Sequence, residues 1–282
     1  MDSTNRYLAD LARSGAPEGT SVLAGSQTAG RGRLGRRWVD VEGGSVLCSV
    51  LFRPTLDLAR WHLLSWLVAL AGRDACAAVA GVELSFKWPN DLQAGDRKVA
   101  GLLAEVAVVP SAAAPDAGDP AVQPTPATPG AAAHPTPGAA AQPTPGAVAQ
   151  PTPALVVGIG INCNWPPGWP PAGDPDAAEI SARATSLDRL SGGAIETDDV
   201  ATALLEAIAE RYGSLQTDAG YAAVLGAEYR ANLATISQRV RVDLADESFT
   251  GTALDVDESG HLLVDVGVCI RTVTAGDVVH VR

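Results

Sequence analysis

Lysine is nearly missing from this chain. Of its twenty basic residues only Lys87 and Lys98 are lysines, and both lie in the stretch Lys87-Trp88-Pro89-Asn90-Asp91-Leu92-Gln93-Ala94-Gly95-Asp96-Arg97-Lys98. Arginine is a planar fork suited to bidentate acceptors, whereas lysine is a compact point charge that fits against a phosphate or carboxylate without two parallel acceptors. The two lysines are therefore candidate anion ligands, although spacing alone leaves open that they are ordinary solvated side chains. Positive charge is also scarce overall. A formal net charge of -12 excludes the broad basic field that a general nucleic-acid or acidic-membrane binder needs, so any anion site must be local. Cysteine is sparse: Cys48, Cys76, Cys163 and Cys269 form no C-x-x-C pair and have no histidine at ligand spacing. That argues against a zinc site or a disulfide framework and for reduced thiols in the cytoplasm. His62, His134, His261 and His280 show no ligand or triad arrangement. No basic segment followed by an apolar one comes after Met1, so no secretory signal is expected. The longest strongly apolar helical run, residues 61–72, reads as too short to cross a bilayer, and no membrane association is expected.

What is there suffices for a folded chain: 282 residues, 46% of them apolar, can bury a sizeable core in one large domain and a small one. Residues 110–153 change to Ala, Pro, Gly and Thr, with QPTP at Gln123, Gln142 and Gln150 and HPTP at His134. Repeated proline removes backbone donors and favours polyproline II, so this reads as an extended, solvated insert, either a partner-binding tract or a tolerated loop expansion. Residues 101–109 before it and 154–164 after it read as strands, which makes the insert a swollen hairpin loop. Residues 21–24, 44–52 and 82–88 also read as strands, and residues 57–80, 198–215 and 220–233 as helices, with Gly81 ending the first. The spacing predicts an α+β fold. From about Ser237 short strands recur at residues 240–244, 250–256, 262–266 and 270–273, with Asp257-Glu258-Ser259-Gly260 as a turn, the pattern of a small β-barrel. The expected division is a catalytic domain over 1–236 and a barrel over 237–282.

A second stretch, Gln27-Thr28-Ala29-Gly30-Arg31-Gly32-Arg33-Leu34-Gly35-Arg36-Arg37-Trp38, combines glycines that let backbone approach a ligand with guanidinium groups that grip phosphate or carboxylate. It is neither a Walker A loop nor a dinucleotide fingerprint. Taken alone it could equally be a solvated turn or a minor nucleic-acid contact.

With Ser3-Thr4-Asn5, Lys87-Trp88-Pro89-Asn90-Asp91, Lys98 to Gly101 followed by Glu105, Gly158-Ile159-Gly160-Ile161-Asn162 and Ala184-Thr185-Ser186-Leu187, this loop resembles the biotin protein ligases. The motifs stand in family order and cover the chain apart from the insert. The resemblance implies a mixed sheet packed with helices, in the manner of a class II synthetase, with a C-terminal SH3-like β-barrel. It implies ATP and Mg²⁺ as cofactors, biotin as substrate, and the biotin carboxyl carrier protein domain of an acyl-CoA carboxylase as partner. Ser3, Thr4, Asn5 and Gln27 would bond the biotin ureido ring, and Arg31, Gly32 and Arg33 would close over the activated carboxylate and phosphate. Lys98 would contact the biotin carbonyl or α-phosphate, with Arg31 and Lys98 as the catalytic pair. Trp38 would stack on adenine, Asn90 and Asn162 would lie near the base, and Arg36, Lys87 and Asp91 would serve ATP, with Asp91 reaching its Mg²⁺.

Each assignment has a plain alternative. Ser3 and Thr4 could cap the helix that follows, Trp38 and Trp88 could be core aromatics, Asn162 could cap a turn, and Asp91 could pair with Arg97 on the surface. In the family a strand and a helix usually precede Ser-Thr-Asn, so the native chain is expected to begin upstream of Met1. No winged helix is expected, and hence no operator DNA binding; a homodimer is left open. The rival readings are a lipoate or octanoate ligase of related architecture and a non-catalytic module that holds a nucleotide or carrier.

Overall fold

The structure is a computed structural model and describes residues 1–108, 153–170, 173 and 175–281. Residues 110–152 of the Pro-rich insert lie outside the described residues.

Helix α1 (Thr4–Arg13) leads to β1 (Ser21–Ala24) and β2 (Ser45–Phe52), and a short turn of 3-10 helix precedes α2 (His62–Ala80). Then come β3 (Ser85–Lys87), β4 (Asp91–Ala94), β5 (Arg97–Val108) and β6 (Pro153–Asn162), followed by α3 (Ala177–Arg183), α4 (Leu187–Ser191), α5 (Thr197–Thr217) and α6 (Tyr221–Ala231). The strands form one sheet in the order β1-β2-β6-β5-β4-β3. The sheet expected to be mixed has antiparallel pairing between all its neighbouring strands, and parallel contact is confined to isolated bridges, Phe86 with Leu233 and Lys98 with Ala184. The reason is connectivity: β3, β4, β5 and β6 follow one another as adjacent strands, whereas a parallel neighbour needs a crossover. Val108 pairs with Pro153, so the insert leaves and rejoins the sheet at facing positions, as a hairpin connection does.

Alternation along β6 decides what the sheet builds. Leu155, Val157, Ile159 and Ile161 enter the main core with α2, α5 and the C-terminal sheet. Ala154 and Val156, on the opposite face, join Leu8 and Ala12 of α1 with Leu51 and Ala107. Side chains two apart share a face, so Gly158, Gly160 and Asn162 continue the α1 face beyond the end of that small core. Register brings Ser49 and Leu103 beside Gly158, and Leu47 and Gly101 beside Gly160.

Helix α2 supplies most of the opposite layer. Leu64, Leu67, Val68, Leu70 and Ala71 are fully buried, each large aliphatic contributing about 1.5–3 kcal/mol of burial. Gly81 ends the helix at φ 65°, as a left-handed C-cap requires. With its preceding turn, Leu58–Ala80 is 23 residues long and contains an 18-residue window of mean hydropathy 1.5, enough by length and composition to cross a membrane, contrary to the shorter apolar run read from sequence. Here it is a core helix, packed on α5, α6 and the sheet.

The C-terminal strands β7 (Arg239–Asp243), β8 (Ser248–Val256), β9 (Leu262–Asp265), β10 (Ile270–Val273) and β11 (Asp277–His280) pair in the order β10-β9-β8-β7-β11. A flat five-stranded sheet would place its edges about 19 Å apart, yet the link from Val273 to Asp277 reaches only about 14 Å. The sheet therefore curls. β11, β4, α3 and α4 were not legible in the sequence pattern; each is short, and β4 carries only one large apolar residue.

Candidate active site

One cavity of about 140 Å³ opens on the α1 face of the large sheet. It is lined by residues from the N-terminus, the Arg/Gly loop, the Lys87 to Asp91 segment, the strands and the C-terminal sheet.

At one end lies a buried polar network. The side chain of Ser3, the N-cap of α1, makes no capping bond, and Thr4 turns its hydroxyl to Gln27 Oε1 at 3.2 Å while its backbone N–H donates to the same oxygen at 2.8 Å. Asn5 Nδ2 donates to the Leu103 carbonyl at 3.1 Å and to Glu105 Oε2 at 3.0 Å. The Ser49 hydroxyl, fully buried, lies 2.6 Å from Asn5 Oδ1 and 2.8 Å from Thr4 Oγ1. Neither side chain caps α1: Ser3 makes no capping bond, and Thr4 joins a polar cluster with Gln27 and Ser49.

The two glycines of the Gly-x-Gly motif exist for close approach. A Cβ on Gly158 would stand 2.1 Å from Asn5 Oδ1, and one on Gly160 would stand 2.6 Å from two indole carbons of Trp38. The sheet thus carries a bare strip, and helix α1 and the loop each lay one side chain on it. Trp38 rests there beside Gly101, with Lys98 Nζ 5.5 Å from its ring centroid. Its Nε1–H is buried without a hydrogen-bond partner among the described residues. Trp38 is a cavity wall; Trp88 also borders the cavity, but it is 3% exposed and donates to the Gly260 carbonyl, a core role.

The Arg/Gly loop folds as a miniature hairpin. Gly32 N–H donates to the Arg36 carbonyl at 2.7 Å and Trp38 N–H to the Gly30 carbonyl at 3.0 Å. Leu34, at φ 55°, sits at the tip in the left-handed region with its side chain in solvent, a conformation that costs a non-glycine residue free energy. The hairpin aims its guanidinium groups differently. Arg31 bridges to Glu105 at 2.7 Å, Arg33 donates to Asn90 Oδ1 at 3.4 Å, and Arg36 pairs with Asp277, the first residue of β11.

Opposite the loop, Lys98 Nζ lies 2.6 Å from Asp91 Oδ1. The expected alternative, Asp91 with Arg97, does not form; Arg97 donates instead to the Ala184 carbonyl, tying the 184–187 segment to β5. Lys87 and Arg33 share an electrostatic environment. Desolvation, the largest influence on each, lowers both basic groups from their ordinary values, while Asp91 and Asp277 oppose it. The Asp277 hydrogen bond raises the Arg36 value. Cys48 also lines the cavity, but burial pushes its thiol up to about 12, so it supplies no thiolate nucleophile near neutral pH.

Of the residues named from sequence, Ser3, Thr4, Asn5, Gln27, Arg31, Gly32, Arg33, Arg36, Trp38, Lys87, Asn90, Asp91 and Lys98 all line this cavity. Asn162 does not. It is buried behind the wall and donates to the Thr185 carbonyl, whose own N–H binds the Lys98 carbonyl. It is neither a turn cap nor a cavity residue. Sequence reasoning gave no role to Ser49, Glu105 or Asp277. A lone hydroxyl in the otherwise apolar centre of β2 was the one available signal for Ser49.

Comparison with known proteins points to one family. The biotin/lipoate A/B protein ligase family matches residues 1–112, and the biotin protein ligase C terminal domain matches residues 235–281. The biotin--[acetyl-CoA-carboxylase] ligase of Mycobacterium tuberculosis is 33% identical over 286 residues, covering 99% of this chain and 86% of that protein. This chain belongs to the biotin protein ligase family. Another biotin protein ligase relative, the bifunctional ligase/repressor BirA of Bacillus subtilis, is 29% identical over 99% of this chain and 71% of its own length. The fold also matches the biotin protein ligase of Aquifex aeolicus solved with biotin and ATP, with a TM-score of 0.69 at 24% identity over 100% of this chain and 95% of the other.

Proposed function

We propose that this protein is an ATP-dependent biotin ligase that forms biotinyl-5′-AMP and transfers the biotinyl group to a lysine of a carboxylase carrier protein in the cytoplasm. The observation that carries the reading is the meeting, in one cavity, of a network of short polar side chains with basic ones, among them Arg31, Arg33, Lys87 and Lys98. Family membership and the biotin and ATP named for the Aquifex structure support it.

A biotin carboxylate and a triphosphate repel each other, so their reaction needs cations held in place before the ligands arrive. Partly desolvated Lys87 and Arg33 meet that need, because a charge stripped of water acts more strongly on a phosphate oxygen. A biotin carboxylate oxygen attacks the α-phosphorus, the bond to the β-phosphate oxygen breaks, and pyrophosphate leaves with the electron pair. A carrier lysine, as its free amine, then attacks the acyl carbon, loses a proton, and expels AMP. Lys98, freed from Asp91, would face the carbonyl and α-phosphate oxygens.

Magnesium fits as a companion of the nucleotide. Among the described residues no three His, Cys, Asp or Glu side chains converge as a metal cage, while Asp91 lines the cavity; Mg²⁺ is commonly held by one or two carboxylates plus phosphate oxygens. Asp91 would supply that contact, and the ion would offset phosphate charge.

The cavity is smaller than the roughly 300 Å³ at which ligand pockets usually begin, and the Trp38 indole lies across its floor. The loop that carries Trp38 would lift and settle again as the ligands enter. Biotin-dependent exchange of pyrophosphate into ATP, followed by biotin transfer to a carrier domain, tests the proposal. Exchange with lipoate in place of biotin would redirect it to the lipoate class, and nucleotide binding without exchange would leave only a binding module.

A further inference from the structure

Glu105 lies on the site face of β5, two residues beyond Leu103, with its side chain 30% exposed. It does not line the smaller cavity, yet it touches two residues that do, and it lines a second cavity of about 540 Å³ that shares the Arg31 loop with the first. Its Oε2 accepts from Asn5 Nδ2 at 3.0 Å and from Arg31 Nη1 at 3.0 Å, and its Oε1 lies 2.7 Å from Arg31 Nη2.

The chemistry of that arrangement is directional. An ionised carboxylate only accepts hydrogen bonds, and a backbone carbonyl likewise only accepts, whereas an asparagine amide has a donating end and an accepting end. With Glu105 and the Leu103 carbonyl on one side of Asn5, only the Nδ2 end can face them. The Oδ1 end is then turned toward the Ser49 hydroxyl, 2.6 Å away, and the bare backbone of Gly158, which lines the cavity with Asn5. A ureido ring presents two N–H donors and one carbonyl acceptor. An acceptor held at that point suits one of its N–H groups; the flipped amide would repel it.

We propose that Glu105 is the positioning residue for biotin-ring recognition: it locks the Asn5 amide with its acceptor toward the ring, and through the same carboxylate it restrains Arg31. This inference rests on the ligase reading above. The lost lock reads out in the biotin KM, because the Asn5 network belongs to the ring end; the lost restraint on Arg31 reads out in kcat, while Lys87, Lys98 and Arg33 still hold the phosphate end.

The test is Glu105→Gln in the full chain, which keeps shape but can donate as well as accept. Biotin-dependent ATP–pyrophosphate exchange would be measured with KM taken separately for biotin and ATP, alongside the thermal midpoint. The expected result is a biotin KM raised by about tenfold, the size of a lost charge-assisted hydrogen bond, with the ATP KM within about twofold and the midpoint nearly unchanged. In an Asn5→Ala background the same substitution should add less than about twofold, because the amide it orients is gone. Should Glu105→Gln fail to fold, Glu105→Asp keeps the charge but withdraws it by one methylene from Asn5 and is expected to give the same KM split. A biotin KM within twofold of the unaltered chain overturns the proposal. So does an equal rise in both KM values with a fallen midpoint, which marks a merely structural role, or a full effect persisting without Asn5. No exchange in the unaltered chain removes the ligase reading itself, a result distinct from exchange that Glu105→Gln leaves unshifted.

Discussion

Replacing Gly158 with alanine asks whether the bare strip of β6 is required by what lies on it. The added methyl would sit 2.1 Å from Asn5 Oδ1 and 3.1 Å from Ser49 Oγ, far inside the ~3.5 Å at which such atoms rest comfortably. Asn5 has nowhere to retreat: it is 4% exposed, and its other end is held by Leu103 and Glu105. Either α1 shifts or the amide leaves its partners, and overpacking of this kind costs about 1–3 kcal/mol. For a chain of this size that is a fall of roughly 2–12 °C in the thermal midpoint, and the biotin KM should rise as the acceptor is displaced. In an Asn5→Ala background the obstructing atom is absent, so the alanine at 158 should cost no more than about 0.5 kcal/mol. Urea unfolding of the four proteins in the cycle, with biotin KM measured on each, gives both quantities. Equal costs in the two backgrounds would refute the reasoning, because the methyl would then be meeting something other than Asn5.

Lys98→Ala and Arg31→Ala are each expected to slow adenylate formation by about 10² or more, as for removal of a preorganised charge donor; near-normal single-turnover adenylation in either mutant sinks that residue's assignment. Lys87 is lowered from its ordinary 10.5 chiefly by desolvation, so its ammonium is lost earlier as pH rises, and the alkaline limb of exchange should lie below 10.5 and move upward in Lys87→Arg. A limb unmoved by that substitution would exclude Lys87 from the phosphate end. Glu228 is held below its ordinary 4.5, first by its hydrogen bond from Arg211. That contribution to stability is present above the unfolded value and is lost as pH falls through the folded one, so urea midpoints should drop below about pH 4.5, and less steeply in Arg211→Met. An identical acid profile in that mutant contradicts the assignment.

Much of the fold could be read from local pattern. Strand β1 matches its expected residues, β2 and β10 match to within a residue, and α2 ends at the predicted Gly81, because period and caps are properties of neighbouring residues. Short elements escaped: β11 is four residues and β4 is largely polar, too little sequence for a period to declare itself. For the site, thirteen of the residues named from sequence line one cavity, while Asn162 lies behind it, joined through Thr185 to Lys98 by two hydrogen bonds.

The sequence by itself determined which chemistries are present and in what order along the chain: two lysines, a forked-cation loop, a Ser-Thr-Asn start to a helix, and glycines spaced by two. Only the tertiary structure decided who meets whom. Asp91 takes Lys98 rather than Arg97, Arg31 takes Glu105, Arg36 reaches Asp277 across 241 residues, and Ser49 joins Asn5. Those choices depend on strand register and on the curl of the C-terminal sheet, which local periodicity does not encode. A carboxylate's partner is set by which cation the fold holds nearest, not by which one follows it in the chain.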